Sequence, residues 1–215
     1  RAGITILQTN QLMAIKKNYV SPRQRMINLM YVVLMAMLAM NISNEVLDGF
    51  TIVEESLQRT TANSSKQNAA IYSDFESQMK TNPQKVKEWF EKATAVKRMS
   101  DSLYNYAEQL KLAIVREADG DDADINNIER KDDLEAANQV MLAPTTGQGA
   151  NLKKAIDSFR QRILTMVTDP EQRHIIENNL TTTISGKSNP LNKNWQEYMF
   201  EGMPVAAAVT LLSKI

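Results

Sequence analysis

The strongest constraint on this chain is a window of 19 residues without a charge, from Met26 to Asn44. At about 1.5 Å per residue, a helix of this length spans about 28 Å, close to the hydrocarbon thickness of a bilayer. Pro22 suits the first turn of a helix because its missing N–H needs no partner there, and Ser21 is a candidate N-cap. The sequence therefore predicts a single transmembrane helix over residues 21–44.

The charges on either side of the window predict its orientation. Basic residues precede it and acidic residues follow it: Lys16, Lys17, Arg23 and Arg25 before, Glu45 and Asp48 after. An excess of basic residues marks the cytoplasmic side of a span. We therefore expect residues 1–20 to form a cytoplasmic tail and residues 45–215 to lie outside the membrane. Residues 1–12 precede Met13, which resembles a native start, and are interpreted as non-native.

Composition narrows the fold class to helix. The chain has 7 glycines and 6 prolines and is rich in Ala, Glu, Lys, Gln, Leu and Met, all good helix formers. Basic and acidic residues balance at 25 each, so no overall field favours nucleic acid as a partner. With no cysteine, a disulfide framework and thiolate metal sites are excluded. The predicted class is all-α, with one transmembrane helix running into a helical bundle domain.

Apolar spacing predicts the helices of that domain. Val46, Phe50, Val53 and Leu57 continue one apolar face beyond the window, and the polar stretch 58–68 is either a solvated helical neck or a break. Further helices are predicted over residues 84–117, 131–142, 151–167, 170–176, 195–200 and 204–215, with a polar loop over 181–194. Because the last pattern stops without a cap, we expect the native chain to continue.

Candidate metal sites are weak. His174 is the sole histidine, and Glu171 and Glu177 flank it at helical spacing, a pattern that surface ion pairs explain as well. The acidic run from Asp122 resembles the opening of a calcium loop, but Asn127 stands where such a loop needs glycine. No metal site is predicted.

Candidate enzyme motifs are weaker still. Residues 145–149 carry two glycines before a helix, but the Gly-Lys-Ser/Thr order of a phosphate loop is missing. No Gly-x-Ser-x-Gly nucleophile elbow occurs, and the lone histidine restricts any triad. The sequence therefore predicts neither an enzyme nor a bound cofactor.

Polar side chains at the start of the predicted span are the better functional candidates. Gln24, Asn28 and Tyr31 lie at i, i+4 and i+7, on one helix face, with Arg23 beside them. An arginine near a helix end reaches the headgroups at modest cost, which is the simplest interpretation of Arg23. Because residues 26–44 include no Asp, Glu, Lys, Arg or His, any ion pathway here needs a carboxylate from another subunit, to which Arg23 is the natural counter-charge.

A second stripe of the same helix is rich in methionine: Met26, Met30, Val33, Met37 and Met40. Flexible thioether side chains suit a surface that repacks against changing neighbours. A lipid-facing stripe or a static helix contact is at least as common. The stripe is a candidate for helix packing in the membrane.

At these residues the chain resembles the GldM/PorM family, the inner-membrane component of the gliding and type IX secretion motor. The resemblance is carried by residues 21–31 (SPRQRMINLMY), 38–47 (LAMNISNEVL), 194–200 (NWQEYMF) and 204–206 (PVA), and covers roughly residues 13–215.

The resemblance implies a homodimer whose transmembrane helices pass through a ring of two-helix GldL/PorL subunits that carry a membrane-embedded glutamate. By the family pattern, Arg23 is the motif arginine expected to pair with that glutamate. The family also implies that proton motive force drives rotation of the dimer, and that its periplasmic part begins with a helical domain. Further β domains, absent from residues 1–215, lead toward outer-membrane-associated secretion components.

Two other classes stay open on the residues alone. A single-pass sensor or scaffold with a helical ectodomain would use the same anchor, although only a short segment precedes the span. A secreted helical protein would use the window as a cleaved signal, for which the small-residue cleavage site near Ala39 is poor.

Overall fold

The computed structural model describes residues 21–40, 42–186 and 189–215. Within these ranges the chain is all-α, and no residue is in a strand. The helices are α1 (Pro22–Met40), α2 (Asn44–Thr81), α3 (Pro83–Asp119), α4 (Ala136–Leu142), α5 (Gly149–Met166), α6 (Pro170–Asn179), α7 (Trp195–Phe200) and α8 (Val205–Ser213). The predicted fold class is confirmed as all-α, while the predicted tail over residues 1–20 lies outside the described residues.

The chain divides into two compact units, Arg1–Asn41 and Ile42–Ile215. In the first, the described structure is the single helix α1 with Ser21 before it. The predicted continuous helix over residues 21–44 is wrong at its end, since Ile42 is non-helical and Ser43 has extended backbone as the N-cap of α2. A new helix therefore begins at Asn44.

Two long helices, α2 and α3, form a hairpin in the second unit. Proline bars Asn82 from helical geometry, so α2 ends at Thr81 and Pro83 occupies the first turn of α3. Away from its base the hairpin is held by contacts such as the Tyr72 hydroxyl, which donates to the Ala93 carbonyl at 3.1 Å. The polar stretch 58–68 is continuous helix, exposed to solvent from residue 58 onward. Of the two predicted alternatives, the solvated helical neck is the observed one.

The predicted apolar face of α2 is wrong in detail. Val46 and Val53 are half exposed, and Phe50 and Leu57 are only partly buried. Instead α2 buries Leu47 and a glutamate seven residues later, Glu54. Residues seven apart share one helix face, so the face that α2 turns to its neighbours is narrow and partly charged.

The core lies around α8. Seven residues of this helix are buried, namely Val205, Ala206, Ala207, Ala208, Val209, Thr210 and Leu212. Helices α2, α3 and α4 contact α8, while α5 and α7 close the far side against α3 and α4. Trp195 and Phe200 pack edge to face at 6.2 Å between ring centroids within this cluster. The short, apolar α8 is therefore the centre of the domain.

The prediction of a helix over residues 131–142 is wrong in its first part, because α4 begins only at Ala136. The carboxylate of Asp133 accepts the backbone N–H of Glu135 at 2.8 Å and of Ala136 at 3.0 Å, which favours a turn over helix. In addition, the carbonyl of Asp133 accepts from the Val205 N–H and that of Lys131 from the Ala206 N–H. The segment stays non-helical because its carbonyls satisfy N-terminal N–H groups of α8.

The remaining helices follow the sequence closely. Helix α5 covers the predicted range 151–167 except Val167, which is its C-cap with extended backbone. Asp169 caps α6 by accepting the Glu171 N–H, with Pro170 in the first turn. A capping box between Asn194 and Glu197 starts α7. The polar loop before α7 is non-helical in its described residues, 181–186 and 189–194.

Candidate functional site

The first turn of α1 carries the polar face that the sequence predicts. The hydroxyl of Ser21 accepts the backbone N–H of Gln24 at 3.3 Å, as an N-cap does. Gln24 Nε2 donates to Asn28 Oδ1 at 3.0 Å, so these two side chains do share a face. Tyr31, one turn further, is 63% exposed, and Arg23 is exposed beside them. The arrangement offers hydrogen-bond groups and a cation to a neighbour.

The methionine stripe lies on the same helix. Met26, Met30 and Val33 have exposed side chains, whereas Met37 and Met40 are helical in backbone and their side chains lie outside the described residues. None of the helices in residues 21–40, 42–186 and 189–215 combines the length and the hydropathy needed to cross a membrane. The transmembrane role of α1, and the partner roles of its side chains, stay predictions.

A charged cluster at the base of α2, which the sequence analysis missed, is the second candidate. We call it the base cluster: Glu54 of α2, Glu108 and Lys111 of α3, and Ser213 of α8. Glu54 is 8% exposed and Lys111 4% exposed. Lys111 Nζ lies 2.6 Å from Glu108 Oε1 and 3.6 Å from Glu54 Oε1, while the Ser213 hydroxyl donates to Glu54 Oε1 at 2.5 Å.

A signal for the base cluster was present in the sequence. Lys111 follows Leu103 and Ala107 at four-residue spacing, so a cation stands on the apolar stripe of α3. Glu54 lies off the apolar spacing of α2, so the sequence does not mark it as buried. A charge on a buried stripe requires a partner, and Lys111 was the available signal that one exists.

The weaker sequence candidates have local structural roles. The carboxylate of Asp124 accepts the backbone N–H of Asn126 at 2.9 Å and so closes a turn. His174 Nε2 lies 3.1 Å from Asn178 Nδ2, one turn along α6. Among the described residues there is no group of three or more His, Cys, Asp or Glu side chains placed to hold a metal ion.

The glycine-rich stretch before α5 is a packing feature. Gly147 N–H donates to the Ala143 carbonyl at 2.9 Å and Gln148 N–H to the Val140 carbonyl at 3.0 Å, so neither N–H is offered to a phosphate. A side chain at Gly147 would lie 2.5 Å from the Ala143 carbonyl oxygen, and one at Gly149 would meet Gln196. The glycines permit this close approach.

Comparison with known proteins identifies the helical domain. No curated protein gives a significant match to the chain. The model of the GldM N-terminal domain, however, matches residues 45–215. Proteins of this family are components of gliding motility and type IX secretion, structural or motor parts and not known enzymes. Since the match covers most of the sequence, the chain belongs to the GldM family.

Proposed function

We propose that this chain is the membrane-anchored shaft of an inner-membrane motor, driven by the proton motive force, that powers type IX secretion or gliding. The single observation that carries the proposal is the GldM-family match over residues 45–215. Helix α1 precedes that domain and carries residues 26–40 of the charge-free window. We propose that the arginine-bearing first turn of α1 lies among headgroups and the apolar remainder in hydrocarbon, with residues 45–215 in the periplasm.

In this proposal two copies form a homodimer, and their α1 helices pass through a ring of two-helix GldL/PorL-type subunits. Arg23 pairs with a ring glutamate, and the face of Gln24, Asn28 and Tyr31 contacts the ring. The methionine stripe supplies packing between helices that change neighbours. Further domains of the native protein carry the motion to outer-membrane-associated secretion components.

The energetics suit a stepping ion pair. A proton that crosses about 100 mV releases about 2.3 kcal/mol. Protonation removes the charge of a ring glutamate, and with it the attraction for Arg23. Arg23 then pairs with the next ionised glutamate of the ring. Repetition of this step turns the shaft, and the helical domain turns with it.

Arg23→Ala tests the proposal. We expect secretion to be lost while the variant still copurifies with the ring, because the variant removes the charge and leaves the rest of α1 in place. Arg23→Lys keeps the charge without the guanidinium and should retain part of the activity. Arg25→Ala, on another side of the same turn, is the matched control with a smaller expected loss. Normal secretion by assembled Arg23→Ala would contradict the ion-pair role.

A further inference from the structure

The base cluster is an unusual way to attach a long helix. Of the 38 residues of α2, all within the described part of the chain, only Leu47 and Glu54 are buried. Leu47 is the apolar contact, and Glu54 brings a charge into the protein. A well-packed apolar side chain at such a position often gives equal or greater stability. Stability therefore does not explain why a charged side chain occupies position 54.

The contacts of Glu54 join three helices. Its Oε1 atom accepts from Ser213 of α8 and from Gln58 Nε2 at 3.2 Å, and faces Lys111 of α3. One turn before Ser213, the single hydroxyl proton of Thr210 is shared between the carbonyls of Ala206, at 2.8 Å from Oγ1, and Phe50, at 3.2 Å. Two side-chain hydrogen bonds, from Thr210 and from Ser213, thus join α8 to α2.

In the base cluster, one buried polar atom has no hydrogen-bond partner among the described residues. The cluster holds two carboxylates and one ammonium, so one negative charge is left over within it. Oε2 of Glu54 is buried and has no hydrogen-bond partner in the described protein. A buried oxygen without a partner loses its hydration and gains nothing in return. Any movement of α2 that admits water to Oε2 recovers part of that loss.

Space for such water adjoins the cluster on both sides. Glu54 lines a cavity of about 220 Å³ between α2, α8 and residues 125–131. A larger opening of about 720 Å³ between α2 and α3 is lined by Gln58, Lys111 and Ser213. A small displacement of α2 therefore hydrates the carboxylate without opening the apolar core around α8.

We propose that Glu54, Lys111 and Ser213 form a releasable clamp between α2 and α8, and that α2 detaches from α8 and reattaches during each working cycle. The inference rests on the proposed function, since the motor delivers the motion that reaches α2. A charged clamp opens into water readily, whereas an apolar seam of the same size resists separation. The clamp lets α2 move while α3, which supplies Leu110, Ile114 and Val115 to the α8-centred core, stays in place.

Locking the clamp tests the proposal in cells. Residues 1–215 contain no cysteine, so Phe50→Cys with Thr210→Cys, joined by a short, reducible thiol-specific cross-linker, ties α2 to α8 without a competing thiol in this part of the protein. We expect cross-linked cells to lose most secretion and to recover it on reduction. The matched control joins α3 to α5 through Met99→Cys and Arg162→Cys, whose native side chains lie 3.9 Å apart, and should secrete normally when cross-linked.

Full secretion by the locked α2–α8 pair would overturn the clamp. If Arg23→Ala abolishes secretion in the same strain, the proposed function stands and the clamp alone fails. If Arg23→Ala also secretes normally, the proposed function fails as well. The two failures are therefore distinguishable.

A second test uses the purified chain and does not require the assembled motor. The double variant E54L with K111M replaces the buried charges by apolar side chains of similar size. We expect amide exchange in α8 and in the first turns of α2 to slow roughly tenfold, because the unpartnered oxygen is gone and the seam is apolar. If amide exchange in the double variant is unchanged or faster, the charged cluster holds α2 to α8 at least as tightly as an apolar contact does. That result would overturn the proposal of a releasable clamp.

Discussion

Helices α2 and α8 show two ways for a helix to belong to one domain. The nine residues of α8 include seven that are buried, whereas the 38 residues of α2 include two. Helix α8 is mostly apolar and packs against α2, α3 and α4. Helix α2 is mostly polar and lies against α3 as one arm of the hairpin. The longer helix of the two therefore has the much smaller fraction of buried residues.

The two helices therefore contribute differently to the domain: α8 contributes stability, and α2 contributes length. Burial of apolar side chains gives roughly 1.5–3 kcal/mol per large residue, so the packed part around α8 supplies most of the folding free energy. The outer part of the hairpin, residues 58–102, has no buried residue and gains its order from helix propensity, intrahelical pairs and the seam between α2 and α3. We interpret the packed part as a rigid body and this outer part of the hairpin as an extended arm.

The largest effect is expected at α8. Val209 is 1% exposed, and Val209→Asp places an unpaired carboxylate in the core, which should cost about 4 kcal/mol or more. Ile52→Asp on α2 is the matched control, since Ile52 is 68% exposed and the change should cost less than about 0.5 kcal/mol. Urea unfolding followed by circular dichroism measures both. Equal losses of unfolding free energy in the two variants would show that α2 and α8 do not differ in their contribution to stability.

A break in the middle of α2 should have a local effect. Ser64→Pro removes one backbone hydrogen bond and clashes with the preceding turn, a cost of about 3 kcal/mol to the helix there. Because Ser64 is exposed and far along the arm, we expect faster amide exchange over residues 58–68 and a small change in Tm. Ser64→Ala is the control and should slow that exchange slightly. A large fall in Tm would mean that the arm and the packed part unfold together.

A smaller effect is expected at a fully partnered charge in the packed part. Burial opposes ionisation of Asp157, but hydrogen bonds from Lys153 and Thr182, with the charges of Lys153 and Arg160, outweigh it and lower its pKa. A lowered pKa stabilises the fold above the ordinary carboxyl pKa, and the stability is lost as pH falls through the folded value. Asp157→Asn should therefore cost about 1 kcal/mol at neutral pH and little in acid.

Unfolding of that variant and of the parent across the acid range measures the effect. Asp74→Asn on α2 is the control, because Asp74 accepts only an intrahelical bond from Gln78 and is exposed. A constant difference between Asp157→Asn and the parent at all pH values would show that charge is not the cause. An effect of Asp74→Asn as large as that of Asp157→Asn would remove the distinction between arm and packed part.

Local signals made most of the helices predictable. Pro83 and Pro170 mark helix starts, Asp169 and Asn194 are caps, and the apolar stripe of α3 reads directly as an amphipathic helix. The start of α4 was only partly predictable in this way. It depends in part on the Asp133 carboxylate, a local signal that was overlooked, and in part on the Asp133 and Lys131 carbonyls, which accept from the distant N-terminus of α8 in a tertiary contact that no local pattern reports.

Of the two candidate sites, one was predictable from local spacing and the other was not. The face shared by Gln24 and Asn28 follows from helical spacing, and their hydrogen bond agrees with it. The base cluster needed the pairing of α2 with α3 and α8, since Glu54 and Ser213 are 159 residues apart in sequence. Apolar spacing alone favoured Val46 and Val53 as the buried face of α2, and tertiary packing selected Leu47 and Glu54 instead.

The central claim is that α1 lies inside a ring of two-helix membrane subunits. Its most direct test is site-specific photo-crosslinking in living cells, with a benzophenone amino acid at Tyr31 and, as control, at Tyr104. Both side chains are exposed, by 63% and 53%, so both positions offer the probe to a neighbour. We predict that the probe at Tyr31 captures a two-helix membrane protein and that the probe at Tyr104 does not. Capture of no such protein from Tyr31, or equal capture from both positions, would contradict the claim.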